Sequence, residues 1–209
     1  MTTGLFITLE GIEGVGKTTQ IDYVGELFRQ NGKVVTITRE PGGTSVGEAI
    51  REILLNRKDL DITVETELLL MFAARAQHLK RIIEPALARK EIVICDRFTD
   101  ASFAYQGGGR GIPGEEIQKL KMWVQNGLEP DLTLLLDAPV EIGLARAGKR
   151  SEPDRFESET LHFFESIRQE YLLMATAEPE RICVIDAVPD LESVQRQIHD
   201  TLLAKYYLC

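Results

Sequence analysis

Gly11, Gly16, Lys17 and Thr18 stand in the spacing G-x-x-x-x-G-K-T within GIEGVGKTT (11–19). That spacing suits a phosphate cradle. Glycines let backbone N–H groups turn toward one anion, and a helix N-terminus adds partial positive charge. Gly11, Ile12, Glu13, Gly14, Val15 and Gly16 supply the loop. Lys17 can reach the β- and γ-phosphates of a nucleotide, and Thr18 can offer its hydroxyl to Mg²⁺. The bland alternative is a glycine-rich turn with an exposed lysine. The flanking sequence argues against it. LFITL (5–9) reads as a buried strand, and Ile21, Val24, Leu27 and Phe28 recur at helical spacing.

Two further places could do chemistry. Asp96 ends the apolar run IVIC, where it can hold Mg²⁺ or cap the following helix. Its neighbour Arg97 can fork onto a phosphate or form a surface ion pair. Arg146, Lys149, Arg150 and Arg155 make the densest basic stretch of an acidic chain, with Gly148 and Pro153 breaking it. A closing basic flap there would place positive charge over a transferred group and exclude water. A solvated charged loop is the other reading.

These groups need a scaffold. Five apolar runs read as strands: 5–9, 33–38, 91–97, 132–137 and 181–186. Helical patterns lie between them, including a long one over 64–89 that Pro85 can interrupt, and one closing the chain over 191–206. QGGGRG (106–111) reads as a flexible loop. Alternation of strands and helices predicts an α/β fold: a five-stranded parallel sheet with helices on both faces, in three layers. Ligands then gather at the C-terminal strand ends, where loop 11–18, Arg39 with Glu40, and Asp96 with Arg97 all fall.

The 209 residues carry a formal net charge of −9, which argues against general nucleic-acid or anionic-membrane binding. The length suits one domain over 1–209 with a flap at about 146–156. Cys95, Cys183 and Cys209 are too widely spaced for a zinc site or disulfide framework. No signal segment and no long apolar run stand out, so a cytoplasmic protein is expected.

The motifs together resemble bacterial thymidylate kinases, nearly end to end. They are LEGIEGVGKTT (9–19), TREPGGT (38–44), FAARAQHL (72–79), CDRFTDASFAYQGGGRG (95–111), PDLTLLLD (130–137) and DRFE (154–157). The resemblance implies a P-loop NTPase-like fold and Mg²⁺-dependent transfer of the γ-phosphoryl of ATP to dTMP, giving dTDP and ADP. It implies Glu13 facing the deoxyribose 3′-hydroxyl, and Arg39, Arg51 and Arg97 lining the acceptor phosphate with Glu40 orienting them. Arg75, Ser102, Tyr105 and Gln106 match the thymine pocket. Members with no arginine in the loop before Lys17 carry the catalytic one in the flap, which implies Arg150, backed by Arg146 and Lys149 beside ATP. Where many members have a thymine-stacking phenylalanine, this chain has Met71, with Phe72 one later; either Phe72 or the Met71 thioether meets the base. Family members are commonly homodimers.

The rival readings are another nucleoside-monophosphate or deoxynucleoside kinase, and a P-loop binding switch. A guanine-reading N-K-x-D is absent from the chain, which speaks against the switch.

Overall fold

A computed structural model describes residues 4–148, 155–156 and 159–206. Five strands form one parallel sheet: β1 (Leu5–Glu10), β2 (Val35–Arg39), β3 (Ile92–Asp96), β4 (Leu132–Asp137) and β5 (Ile182–Asp186). Their order is β2-β3-β1-β4-β5. β3 and β2 lie on one side of β1, and β4 and β5 on the other. The ends of β3, β1 and β4 therefore meet where the winding reverses, the usual place for a ligand. The register pairs Leu9 with Asp96 and Arg39 with Asp96, so three C-terminal strand ends finish level.

Alternate residues serve opposite faces of the sheet. Phe6, Val93 and Cys95 pack with Leu79, Ile83, Ala86 and Phe98. Ile7, Leu9 and Ile94 join a larger cluster with Val24 and Phe28 of α1 (Lys17–Gln30), Phe164 and Ile167 of α8 (Leu161–Ala177), and Ile198 and Leu202 of α9 (Leu191–Tyr206). Parallel strands covered on both sides explain the near-continuous apolar runs. Thr44 caps α2 (Ser45–Leu55), Thr63 caps α3 (Val64–His78) and Thr160 caps α8, each accepting a backbone N–H with its hydroxyl.

Two helical expectations change. After α3 the helix continues through a π-helical stretch, Leu79–Ile83, into α4 (Glu84–Ala88), so Pro85 does not end it. Proline is tolerated because it sits in the first turn of α4, after the wider π turn. The glycine segment is likewise not a loop. Following α5 (Thr99–Ser102), a π-helical stretch runs over Phe103–Gly109 before α6 (Gly114–Gln125). A Cβ on Gly108 would stand 2.8 Å from Glu170 Cβ, and one on Gly109 would stand 2.5 Å from the Phe163 ring. Those glycines let α8 lie against the segment, and packing offsets their poor helix propensity. The remaining helix, α7 (Val140–Ala147), leads into the flap; residues 149–154 of the flap, and 157–158 beyond it, lie outside the described residues. Cys209 lies outside them too. Among the described residues no helix is long and apolar enough to cross a membrane.

Candidate active site

The loop after β1 is shaped by crowding as much as by hydrogen bonding. Gly11, Gly14 and Gly16 all have positive φ, and a Cβ on Gly14 would lie 1.9 Å from the Gly143 carbonyl oxygen of α7. Ile12 and Val15 turn into the core. Their side chains anchor the loop, leaving its main chain to face the cavity. Lys17 Nζ folds back to donate to the carbonyls of Gly11 (3.0 Å) and Ile12 (2.8 Å). Burial, then the nearby Arg97 guanidinium, pushes its pKa down to about 8.

A cavity of about 330 Å³ opens beside this loop. Glu13, Gly14, Gly16, Lys17 and Thr18 of the loop and its helix line it, together with Glu40, Arg51, Arg75 and Arg97. Ser102, Tyr105 and Gln106 complete the wall with Met71, Phe98 and Phe156. Asp96 lines it as well, and its Oδ1 is buried without a hydrogen-bond partner. An orphaned carboxylate oxygen, a threonine hydroxyl and a phosphate loop in one cavity suit Mg²⁺, which takes few protein ligands and completes its shell with water and phosphate oxygens. No group of three or more His, Cys, Asp or Glu arranged for a metal occurs among the described residues.

Arg97 follows β3 with φ 66, an uncommon left-handed conformation for a side chain of its size. Its backbone N–H donates to the Leu9 carbonyl (3.0 Å), and the next N–H, of Phe98, donates to Glu10 Oε1 (2.7 Å). This turn sets the guanidinium in the cavity lining. Its Nη2 donates to Glu13 Oε1 at 2.9 Å, and its plane lies over the Tyr105 ring at 4.8 Å. Glu10 is fully buried and also accepts from the Tyr171 hydroxyl at 2.6 Å. Burial, reinforced by the Asp100 charge, raises the Glu10 pKa to about 8.

Arg75, also in the lining, is almost wholly buried, stacked over Phe72 at 4.6 Å and Phe98 at 5.2 Å. Nε donates to Glu40 Oε2 (2.7 Å); Nη2 donates to the Phe98 carbonyl (3.0 Å) and Ser102 Oγ (3.1 Å). Arg51 donates to the Pro41 carbonyl at 2.9 Å. Gln106 Nε2 donates to Glu67 Oε1 at 2.9 Å, and the same buried carboxylate takes Arg110 and Arg155. Arg155 further donates to the Leu54 carbonyl at 2.8 Å, which ties the C-terminal end of the flap to α2.

Three expected residues stand elsewhere. Phe72 does not line the cavity; it packs with Leu68 and Ile117 behind Arg75, and Met71 takes the cavity side. One residue is about 100° of helix, so neighbours cannot share that wall. Arg39 is half exposed and pairs with Glu48 at 2.9 Å, outside the cavity lining. Its carboxylate partner on α2 draws it away. Arg146 donates to the carbonyls of Ala187 (2.8 Å) and Val188 (3.1 Å), also outside the lining. Lys149 and Arg150 lie outside the described residues. The remaining expected residues converge on one cavity or on its phosphate loop. Glu10, Glu67, His78, Tyr171 and Phe156 escaped the sequence reading. Glu10, His78 and Phe156 stand inside the motifs LEGIEGVGKTT, FAARAQHL and DRFE, whose letters alone assign them no role.

A model of the family described as thymidylate kinase matches residues 9–198. A thymidylate kinase of Pseudomonas putida (strain GB-1) is 57% identical over 201 residues, covering 96% of this chain and 95% of that protein. One of Methylococcus capsulatus is 58% identical over 207 residues, covering 98% and 99%. A crystal structure of thymidylate kinase from Ehrlichia chaffeensis superposes with a TM-score of 0.76 at 33% identity, covering 96% of this chain and 99% of that one.

Proposed function

The chain belongs to the thymidylate kinase family, and from that premise we infer that it transfers the γ-phosphoryl group of ATP to dTMP, giving dTDP and ADP. One observation carries the reading: Lys17 with its glycine loop and the pair Arg51 and Arg97 line a single cavity. Two anionic esters can be set end to end there, which is most of what phosphoryl transfer asks of a protein.

In this reading the backbone N–H groups of the loop and Lys17 hold the β- and γ-phosphates. Arg97 and Arg51 hold the acceptor phosphate. Glu13 accepts from the sugar 3′-hydroxyl, and Arg75 with Ser102 faces the base, against Met71. Gln106 gives one of its two amide N–H donors to Glu67, which leaves the second and the carbonyl oxygen for a base. Thr18 and Asp96 hold Mg²⁺, which when bound neutralises phosphate charge. From the flap, Arg150 meets the transferred group. Sequence alone supports that last role.

Three coarser properties complete the proposal. The chain works as one domain, with the flap closing on ATP. It assembles as a homodimer: α3 and α6 expose Leu69, Met122 and Trp123, the last 80% accessible, an apolar display that a subunit interface would cover. It acts in the cytoplasm, where dTMP and ATP are both at hand.

The test is ADP release with Mg²⁺ and ATP across dTMP, dUMP, dGMP, CMP and AMP. Turnover is expected to be fastest with dTMP and weaker with dUMP, which lacks the 5-methyl contact. Turnover of CMP or AMP without dTMP would end the assignment.

A further inference from the structure

We propose that His78 is a positioning residue for base recognition, acting through Glu40 to keep one nitrogen of Arg75 available to the acceptor. This rests on the reading of Arg75 as the base-side donor.

A guanidinium beside a carboxylate ordinarily forms a two-pronged pair, Nε and Nη2 taking one oxygen each. Arg75 and Glu40 are both buried, where such a pair would be strongest. They do not form it. Only Nε reaches Glu40, at Oε2. The other oxygen, Oε1, is taken by His78 Nδ1 at 2.9 Å. A carboxylate only accepts, so Nδ1 carries the proton. The far nitrogen, Nε2, is 2.6 Å from Thr38 Oγ1 at the end of β2. The hydroxyl can donate to it, so the fully buried ring is satisfied at both ends.

The consequence falls on Arg75. With Oε1 occupied, Nη2 turns instead to Phe98 and Ser102. Nη1 is left buried, with no hydrogen-bond partner, on a side chain that lines the cavity. An unpaired buried donor is costly. It is recovered when a carbonyl oxygen of a base enters. Gly43 makes room for the arrangement: a Cβ there would stand 2.7 Å from both His78 Nε2 and Thr38 Oγ1. Without the His78 proton donor, Arg75 can close its fork on Glu40 and draw Nη1 out of position.

The experiment is steady-state kinetics of His78→Leu, His78→Asn and Arg75→Gln, varying dTMP and ATP in turn, with thermal melts to confirm folding. His78→Leu is expected to raise the KM for dTMP roughly tenfold while kcat and the KM for ATP stay within about twofold. His78→Asn, whose amide N–H can still donate to Glu40, should recover most of that loss. Placed on Arg75→Gln, His78→Leu should add nothing, because the residue it acts through is gone. A folded His78→Leu with an unchanged dTMP KM overturns the proposal. So does a full, additive penalty on the Arg75→Gln background. Arg75→Gln by itself separates the two readings. If it leaves the dTMP KM unchanged, the base-side role of Arg75 fails. If it raises KM while His78→Leu does not, only the role of His78 fails. Should His78→Leu not fold, Thr38→Val frees the ring at Nε2 and is expected to raise the dTMP KM roughly threefold; no rise in the folded variant overturns the proposal equally.

Discussion

Arg97 and Glu13 form an ion pair in the cavity lining, Nη2 to Oε1 at 2.9 Å, with the Tyr105 hydroxyl 2.7 and 2.8 Å from the two carboxylate oxygens. The pair keeps the guanidinium extended before any anion arrives. It also balances charge that would otherwise be stranded in a largely enclosed place. Lysine could not replace Arg97, since one ammonium cannot serve Glu13, Tyr171 and a phosphate in a fixed plane. Arg97→Lys is therefore expected to lower kcat/KM for dTMP roughly a hundredfold or more. Steady-state kinetics checks this, and a loss of less than about threefold would remove Arg97 from the acceptor site.

Lys17 should leave its mark on the pH profile. Its ammonium is pushed down to about 8 from an ordinary 10.5 by burial and by Arg97. In the nucleotide-free enzyme kcat/KM for ATP should fall as pH rises through about 8, and Lys17→Arg should abolish that limb. The stability consequence runs the other way. Between about 8 and 10.5 the unfolded chain holds the proton that the folded chain has lost, so stability contributed by this site rises with pH. Melts of the parent and Lys17→Met across that window should converge toward its upper end.

Glu10 has the opposite sign. Its folded pKa of about 8 stands above the ordinary 4.5, so the folded protein holds a proton that the unfolded chain releases. The stability this site contributes is full below about 4.5 and is lost as pH rises through about 8. Glu10→Gln keeps an acceptor for the Phe98 N–H and removes the titration. Its melting temperature should vary less between pH 5 and 8 than the parent's, as a rough window for this titration. Parallel curves would show that Glu10 stays ionised.

Gly109 should not accept a side chain. Gly109→Ala would press a methyl group into the Phe163 ring, which also stacks on Arg110 at 4.6 Å. A loss of about 2–3 kcal/mol in denaturant unfolding is expected. Gly111→Ala, where open space surrounds the α-carbon but φ is +78, should cost about 1 kcal/mol, from backbone strain alone. Equal losses would mean that α8 does not bear on Gly109.

The exposed indole tests assembly. Trp123→Glu is expected to convert a dimer to a monomer in sedimentation velocity, because a charge buried at a subunit interface without a partner is costly. An unchanged sedimentation coefficient would place the interface elsewhere.

The linear chain by itself determined the phosphate loop, the five strands and the parallel α/β architecture. Those depend on short-range spacing and on apolar runs, which the backbone must honour wherever it folds. It also placed Thr18, Asp96 and Arg97 at strand or helix ends, close enough for one site. Only tertiary structure decided which side chains face the cavity. Met71 rather than Phe72 does so because α3 packs one stripe against Ile117, and no local pattern distinguishes two apolar neighbours. Arg39 left the site because Glu48, nine residues on, offered it a nearer carboxylate. The glycines at 107–109 joined a helix because α8, more than fifty residues later, lies against them. Glu10, His78 and Glu67 acquired meaning only once distant partners closed on them. A buried charge is defined by what surrounds it, and its surroundings are contributed by the whole chain.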